Sequence, residues 1–185
     1  PTIVGIPEEG YELVNATVKP ERIRIAARQD VLDTIKELTL EELDISGSFN
    51  NSLSSKNILN TEGLILLDLE TVPVVNTVVE KVIDREFVYN YYDIQFINKS
   101  DNSDAVLEDT DEEITVSVTG TSTLINSLKK SDLILTVDLA EAAAGINTVK
   151  LECVSEFAFK DILISKDTVN VEIIETETTE PPEEE

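Results

Sequence analysis

Histidine is absent from all 185 residues, and so are tryptophan and methionine. Without histidine the chain lacks the usual general base near neutral pH and the commonest nitrogen ligand for metals. A Ser–His or Cys–His nucleophilic pair cannot be built. The single cysteine, Cys153, rules out an intrachain disulfide. Its context, Leu151-Glu152-Cys153-Val154, reads as a strand in which the thiol serves as a small hydrophobe. Basic residues are scarce, 14 Lys+Arg against 38 Asp+Glu, for a formal charge of −24. That field repels phosphate backbones and anionic lipid. The densest basic group, Arg22, Arg24 and Arg28, is flanked by Glu21 and Asp30. Nucleic acid is therefore not an expected partner. No apolar run approaches the roughly 20 residues that a membrane-spanning helix requires. No G-x-S-x-G, P-loop or G-x-G-x-x-G motif occurs. Neither an enzyme nor a bound cofactor is expected.

What remains is aliphatic. Aromatics are 5% of a chain that is 41% hydrophobic, so the cores are Val, Ile and Leu, a mix that favours strands. The stretch Ile114–Leu139 organises the reading. Ile114, Val116 and Val118 alternate with Thr115, Ser117 and Thr119, the period of a half-buried strand. Gly120 is expected to free the backbone for a turn. The Thr/Ser run behind it is expected to cap a short helix carrying Leu124, Ile125 and Leu128 on one face. Leu135, Val137 and Leu139 return to strand period. Earlier in the chain Ile23 and Ile25 alternate with Arg22 and Arg24. Asp30 is a candidate helix cap before Val31, Leu32, Ile35 and Leu38, and Leu43-Asp44-Ile45 is a short strand.

These are two copies of one unit. A shift of 93 places Ile23, Ile25, Val31, Leu32 and Ile35 on Val116, Val118, Leu124, Ile125 and Leu128. A shift of 94 places Leu43-Asp44-Ile45 on Val137-Asp138-Leu139. The reading divides the chain into a first copy at 1–85, a second copy at 86–174 and an acidic tail at 175–185. The tail, ETETTEPPEEE, has no apolar residue to offset its ordering entropy and is expected to be disordered. Phe87, Tyr89, Tyr91, Tyr92 and Phe96 form the one aromatic cluster. Phe87, Tyr89, Tyr91 and then Ile94 and Phe96 suggest a long strand with a slip of the bulge type near Tyr92-Asp93. Two roles stay open for the aromatic cluster: packing at the junction between copies, or an exposed partner-binding strip. The acidic groups Asp101/Asp104 and Asp109/Asp111/Glu112/Glu113 could hold calcium, but no glycine sits where an EF-hand loop needs one, so a solvated loop and no metal site are expected.

The order of motifs resembles the YbbR-like domain family. In the first copy the matching residues are Gly10-Tyr11-Glu12, Val18-Lys19-Pro20-Glu21, Ile23-Arg24-Ile25, Val31-Leu32-Asp33-Thr34-Ile35 and Leu43-Asp44-Ile45-Ser46-Gly47. In the second they are Val116-Ser117-Val118-Thr119-Gly120, Leu124-Ile125-Asn126-Ser127-Leu128 and Val137-Asp138-Leu139. Ala26-Ala27 departs from the family turn in the first copy, and Asp111-Glu112-Glu113 replaces the V-x-P-E turn in the second. The resemblance implies a mainly β fold with one short helix per repeat, as two tandem domains similar to the C-terminal domain of the ribosomal L25 family. It implies a non-enzymatic, extracytoplasmic protein-interaction module of a membrane-anchored regulator. The implied partner is a membrane-associated protein such as a diadenylate cyclase. The chain opens on Pro1 rather than Met and reads as an excised piece, and the resemblance implies that the parent is a longer anchored protein. Two alternatives are a passive cell-surface spacer or adhesin-like repeat array, and an RNA-binding protein of the L25 type. The −24 charge argues against the second of these.

Overall fold

The computed structural model describes residues 1–67, 72–108 and 112–176. Over these residues the protein is mainly β, with two short α-helices. It divides into two compact units, residues 1–83 with 121–123, and residues 84–120 with those from 124 onward.

In the first unit, β1 (Ile3–Val4) is followed by β2 (Tyr11–Lys19), which ends before Pro20, a residue with no N–H to continue a ladder. β3 (Ile25–Ala26), α1 (Gln29–Leu32), β4 (Leu43–Asp44), β5 (Ser52–Ser55), β6 (Ile65–Leu66) and β7 (Val74–Tyr89) complete it. β2 and β5 each pair antiparallel with the first half of β7, so β7 is central. A bulge between Leu13 and Asn15 shifts the β2 register and turns Val14 toward solvent. β1 runs parallel to β4, and β3 antiparallel to β6. Period-two alternation sends Val75, Thr77 and Val79 inward. Leu40, Leu43, Ile45 and Val75 are the buried cluster, with Ile3, Leu13, Val18 and Ile58 packed against it.

The first helix differs from expectation. α1 is four residues long and buries none of them. Arg28, not Asp30, stands at its N-cap, without a side-chain bond, and Asp30 lies in the first turn. A single turn fixes several dihedrals for few hydrogen bonds, and with no cap and no buried face nothing propagates it further. Ile35 and Leu38 thus fall beyond the helix, only half-buried.

β7 continues unbroken through the residues where the boundary between copies is expected, and its residues from Asp84 count with the second unit. The slip expected near Tyr92-Asp93 is a 3₁₀ turn at Tyr91–Asp93. The Asn90 N–H donates to Asp93 Oδ2 at 2.9 Å, and the Asp93 N–H to the Asn90 carbonyl at 2.9 Å. This reciprocal pair closes the turn, so no bulge is needed. Then come β8 (Gln95–Ile97), β9 (Ser103–Leu107), β10 (Ile114–Thr121), α2 (Ser122–Ser127), β11 (Ile134–Asp138), β12 (Gly145–Val154), β13 (Asp161–Ile164) and β14 (Thr168–Glu175). β10 lies between β7 and β13. A five-stranded sheet runs β8, β11, β12, β14, β9, antiparallel except where β8 meets β11. Ile114, Val116, Val118, Leu135, Val137, Leu151, Val169, Val171 and Ile173 turn inward, with Ile125 and Leu128 of the helical segment buried among the core residues. Each such side chain contributes about 1.5–3 kcal/mol against exposure.

Gly120 is not a turn residue. It is buried inside β10, and a Cβ there would meet Ile125 Cδ1 at 3.3 Å. Its smallness makes room for the helix side chain. The tail also begins later than expected. Glu175 pairs with Ser103 at the end of β14, and the Thr176 N–H donates to the Asn102 carbonyl at 2.9 Å. Residues 177–185 lie outside the described residues.

Candidate interaction surface

The aromatic residues divide. β7 places Phe87 and Tyr89 on its inward side, two residues apart, and the 3₁₀ turn buries Tyr91. Each of the three rings faces one cation. Arg85 stands 4.7 Å from the centre of Phe87, Lys130 Nζ 4.6 Å from Tyr89, and Lys166 Nζ 5.7 Å from Tyr91. Such pairs gain as they are desolvated. The cations are themselves engaged. Arg85 Nη1 donates to the carbonyls of Ile125 and Leu128 at 3.1 and 2.9 Å, groups that the end of α2 leaves without helical donors. Lys130 Nζ donates to Asp93 Oδ2 at 2.8 Å. Lys166 Nζ donates to Tyr91 Oη at 3.0 Å and pairs with Glu112.

The Tyr89 hydroxyl is shared between the carbonyls of Lys130, at 2.8 Å, and Leu133, at 3.2 Å. Burial, and secondarily the nearby Cys153, Asp93 and Asp132 charges, push its pKa up to about 12. The Asp93 carboxyl is held below its ordinary range by the Lys130 side chain and then by the Asn90 N–H. Burial alone raises the half-buried Cys153 thiol. Phe96 is half-buried on β8, and Tyr92 is 87% exposed. The five residues therefore do not form one exposed strip. Phe87, Tyr89 and Tyr91 are buried, Phe96 is half-buried, and of the five Tyr92 alone stands free in solvent.

Sequence reasoning missed a cleft of about 490 Å³ in the first unit. Val18, Ile23, Ile25, Ile35, Leu38 and Ile58 line it, together with the exposed charges of Glu21, Arg22, Lys36 and Glu37. The volume falls within the range of ligand pockets, but no buried polar group converges on it. It was hidden because Ile35 and Leu38 read as part of a helix stripe. No local signal announced it, since Asp30 reads as a cap and only the structure places it inside the first turn of α1.

A second local device belongs to the first unit. Glu80 accepts from the Thr123 hydroxyl at 2.7 Å and the Thr123 N–H at 2.9 Å, and these bonds, in that order, lower its pKa from the ordinary 4.5. The expected Thr/Ser cap is thus reversed: hydroxyls donate, and a carboxylate from β7 accepts. Among the acidic groups weighed for calcium, Asp104 lies 3.6 Å from Lys99 Nζ, Glu112 is taken by Lys166, and Asp109 and Asp111 lie outside the described residues. Among the described residues no three or more of His, Cys, Asp and Glu gather as metal ligands. No helix among them is long and apolar enough to cross a membrane.

Residues 1–75 match the family described as YbbR-like protein. Over 148 residues, 80% of the chain, the sequence is 27% identical to the CdaA regulatory protein CdaR of Bacillus subtilis strain 168. At least 148 − 83 = 65 of those residues lie beyond Ile83, so the similarity extends into the second unit. The chain spans 30% of that relative's length. Among solved structures, a YbbR-like domain from Listeria monocytogenes is 22% identical, with 52% of this chain and 99% of that one covered and a TM-score of 0.42. A YbbR-like protein from Streptococcus pneumoniae TIGR4 is 9% identical, with 93% and 88% covered and a TM-score of 0.34. The resemblance read from the motifs between Gly10 and Gly47 is borne out over residues 1–75.

Proposed function

We propose that this chain is a non-catalytic binding module of an extracytoplasmic, membrane-anchored regulator, and that it acts on a membrane-associated partner such as a diadenylate cyclase. The similarity to a protein named as the regulatory protein of CdaA carries the reading. The chemistry of the chain agrees with it. No histidine is present, and among the described residues the buried polar side-chain atoms all have hydrogen-bond partners, the Tyr89 hydroxyl among them. What the two units offer is surface.

The test is made in cells carrying the longer protein. Deletion of residues 1–176 is expected to change cellular cyclic diadenylate, and a version with the segment restored is expected to return it to the starting level. A level unmoved by the deletion would refute the regulatory role. Replacement of the segment by an unrelated domain of similar size separates regulation from spacing. If the replacement restores the level, the segment only sets reach, as a surface spacer would. Protease accessibility of the segment in intact protoplasts tests its placement outside the membrane.

A further inference from the structure

We propose that the free edge of β5 is a docking site for an extended segment of a partner protein, one that is uncharged where it lies on the strand and cationic on either side. This deepens the binding role above but does not depend on which protein is bound.

β5 pairs with β7 and with no other strand among the described residues. The register sets Leu53 opposite Asn76 and Ser55 opposite Val74, and Lys56 N–H donates to the Pro73 carbonyl at 2.9 Å. In an antiparallel ladder the bonding direction alternates by residue. The N–H and C=O of Leu53 and Ser55 therefore point away from β7, and no backbone partner meets them among the described residues. Such an edge is a ready template for another strand, and proteins ordinarily blunt it with charge or proline. Within β5 itself no charge or proline does so. From Ile45 to Ser55 the sequence ISGSFNNSLSS holds no charged residue and no proline, in a chain that is 28% charged. Leu53 is 74% exposed at the centre of the edge. An open depression of about 710 Å³ adjoins it, lined by Lys19, Pro20, Leu53, Val72, Val74 and Asn76. It gives an incoming apolar side chain a place to rest, as strand addition requires for specificity.

Charge selects the occupant. A second copy would bring another −24 toward this one. A cationic segment is instead steered inward by the whole field. The strand itself is neutral, and Lys19 and Lys56 stand beside it, with Lys56 Nζ on the Glu42 carbonyl. Positive charge on the partner therefore belongs outside the paired stretch.

The experiment uses the full chain and a short synthetic peptide with an alternating Thr–Val centre and lysines at both ends. Hydrogen exchange with and without the peptide is expected to show new protection at the Leu53 and Ser55 amides. Leu53→Lys, an exposed change that leaves the core untouched, is expected to weaken binding by roughly tenfold, and Leu53→Thr to preserve it. Three results would overturn the proposal: protection elsewhere with none on β5, equal binding by Leu53→Lys, or equal binding of a peptide ending in glutamates. Sedimentation of the protein alone supplies the other occupant's test. A dimer abolished by Leu53→Lys would assign the edge to a second copy and refute the proposal. None of these readouts involves cyclic diadenylate, so the binding experiment and the deletion experiment fail separately.

Discussion

The helical segments of the two units begin from nearly the same pattern and end differently. Val31, Leu32 and Ile35 stand 93 positions before Leu124, Ile125 and Leu128. In the second unit Ile125 and Leu128 are fully buried; in the first, Leu32 and Ile35 are half-exposed and the helix stops after one turn. Two things account for the difference. Gly120 clears space against Ile125, whereas Ala27, its counterpart by the same shift, retains a Cβ. Arg85 closes the end of α2 by donating to two carbonyls, and α1 has no side-chain bond at its N-cap. Equal periodicity does not give equal burial; the neighbours that receive the helix decide.

The largest effect expected from this contrast is at Ile125. Ile125→Ala should cost about 2–4 kcal/mol by leaving a cavity, and Leu32→Ala distinctly less, since its site is already partly open. Urea unfolding of both variants measures the gap, and equal losses would break the comparison. Gly120→Val should destabilise by about 1–3 kcal/mol through overpacking against Ile125. Recovery of stability in Gly120→Val combined with Ile125→Val would locate that clash.

Tyr89→Phe removes the hydroxyl shared by two carbonyls and should cost about 1 kcal/mol at neutral pH. Its pH dependence is more diagnostic. The folded pKa of Tyr89 lies above the ordinary 10, so its contribution is complete below pH 10 and is lost as pH rises toward about 12. The stability difference between wild type and Tyr89→Phe should shrink over that window. Glu80→Gln should cost about 0.5 kcal/mol as a weakened helix-start contact. The Glu80 pKa is lowered on folding, so its contribution is present above pH 4.5 and is lost as pH falls below it. Comparison with the variant at each pH cancels the general relief of repulsion that acid brings to so negative a chain. The smallest effect belongs to Tyr92→Ser, which should change stability by less than about 0.5 kcal/mol, because the ring touches little. A larger loss would mean that Tyr92 packs in solution.

The strands of the second unit were readable because period two is short and survives in any context. Ile114, Val116 and Val118 alternate in the sequence and in the fold, and so do Val169, Val171 and Ile173. The mainly β character followed from the same signal. The helix ends were not readable, since what fixes them comes from far along the chain: Arg85 to Leu128, Glu80 to Thr123. The aromatic cluster was visible as composition, but its division was not. Lys130 and Lys166 lie dozens of residues from the rings they cover, and no local pattern announces them. The Ser- and Asn-rich run from Ser48 to Asn57 reads in the sequence as a loop or a weak edge strand. Its unoccupied side appeared once the pairing with β7 was known.

Cys153, half-buried on β12 with burial pushing its thiol pKa up, is a local reporter for the second unit. The thiolate is the form that reacts with alkylating agents, so Cys153 should label more slowly in the folded protein than in the unfolded chain. With no other sulfhydryl in the chain, every label counted belongs to this one site.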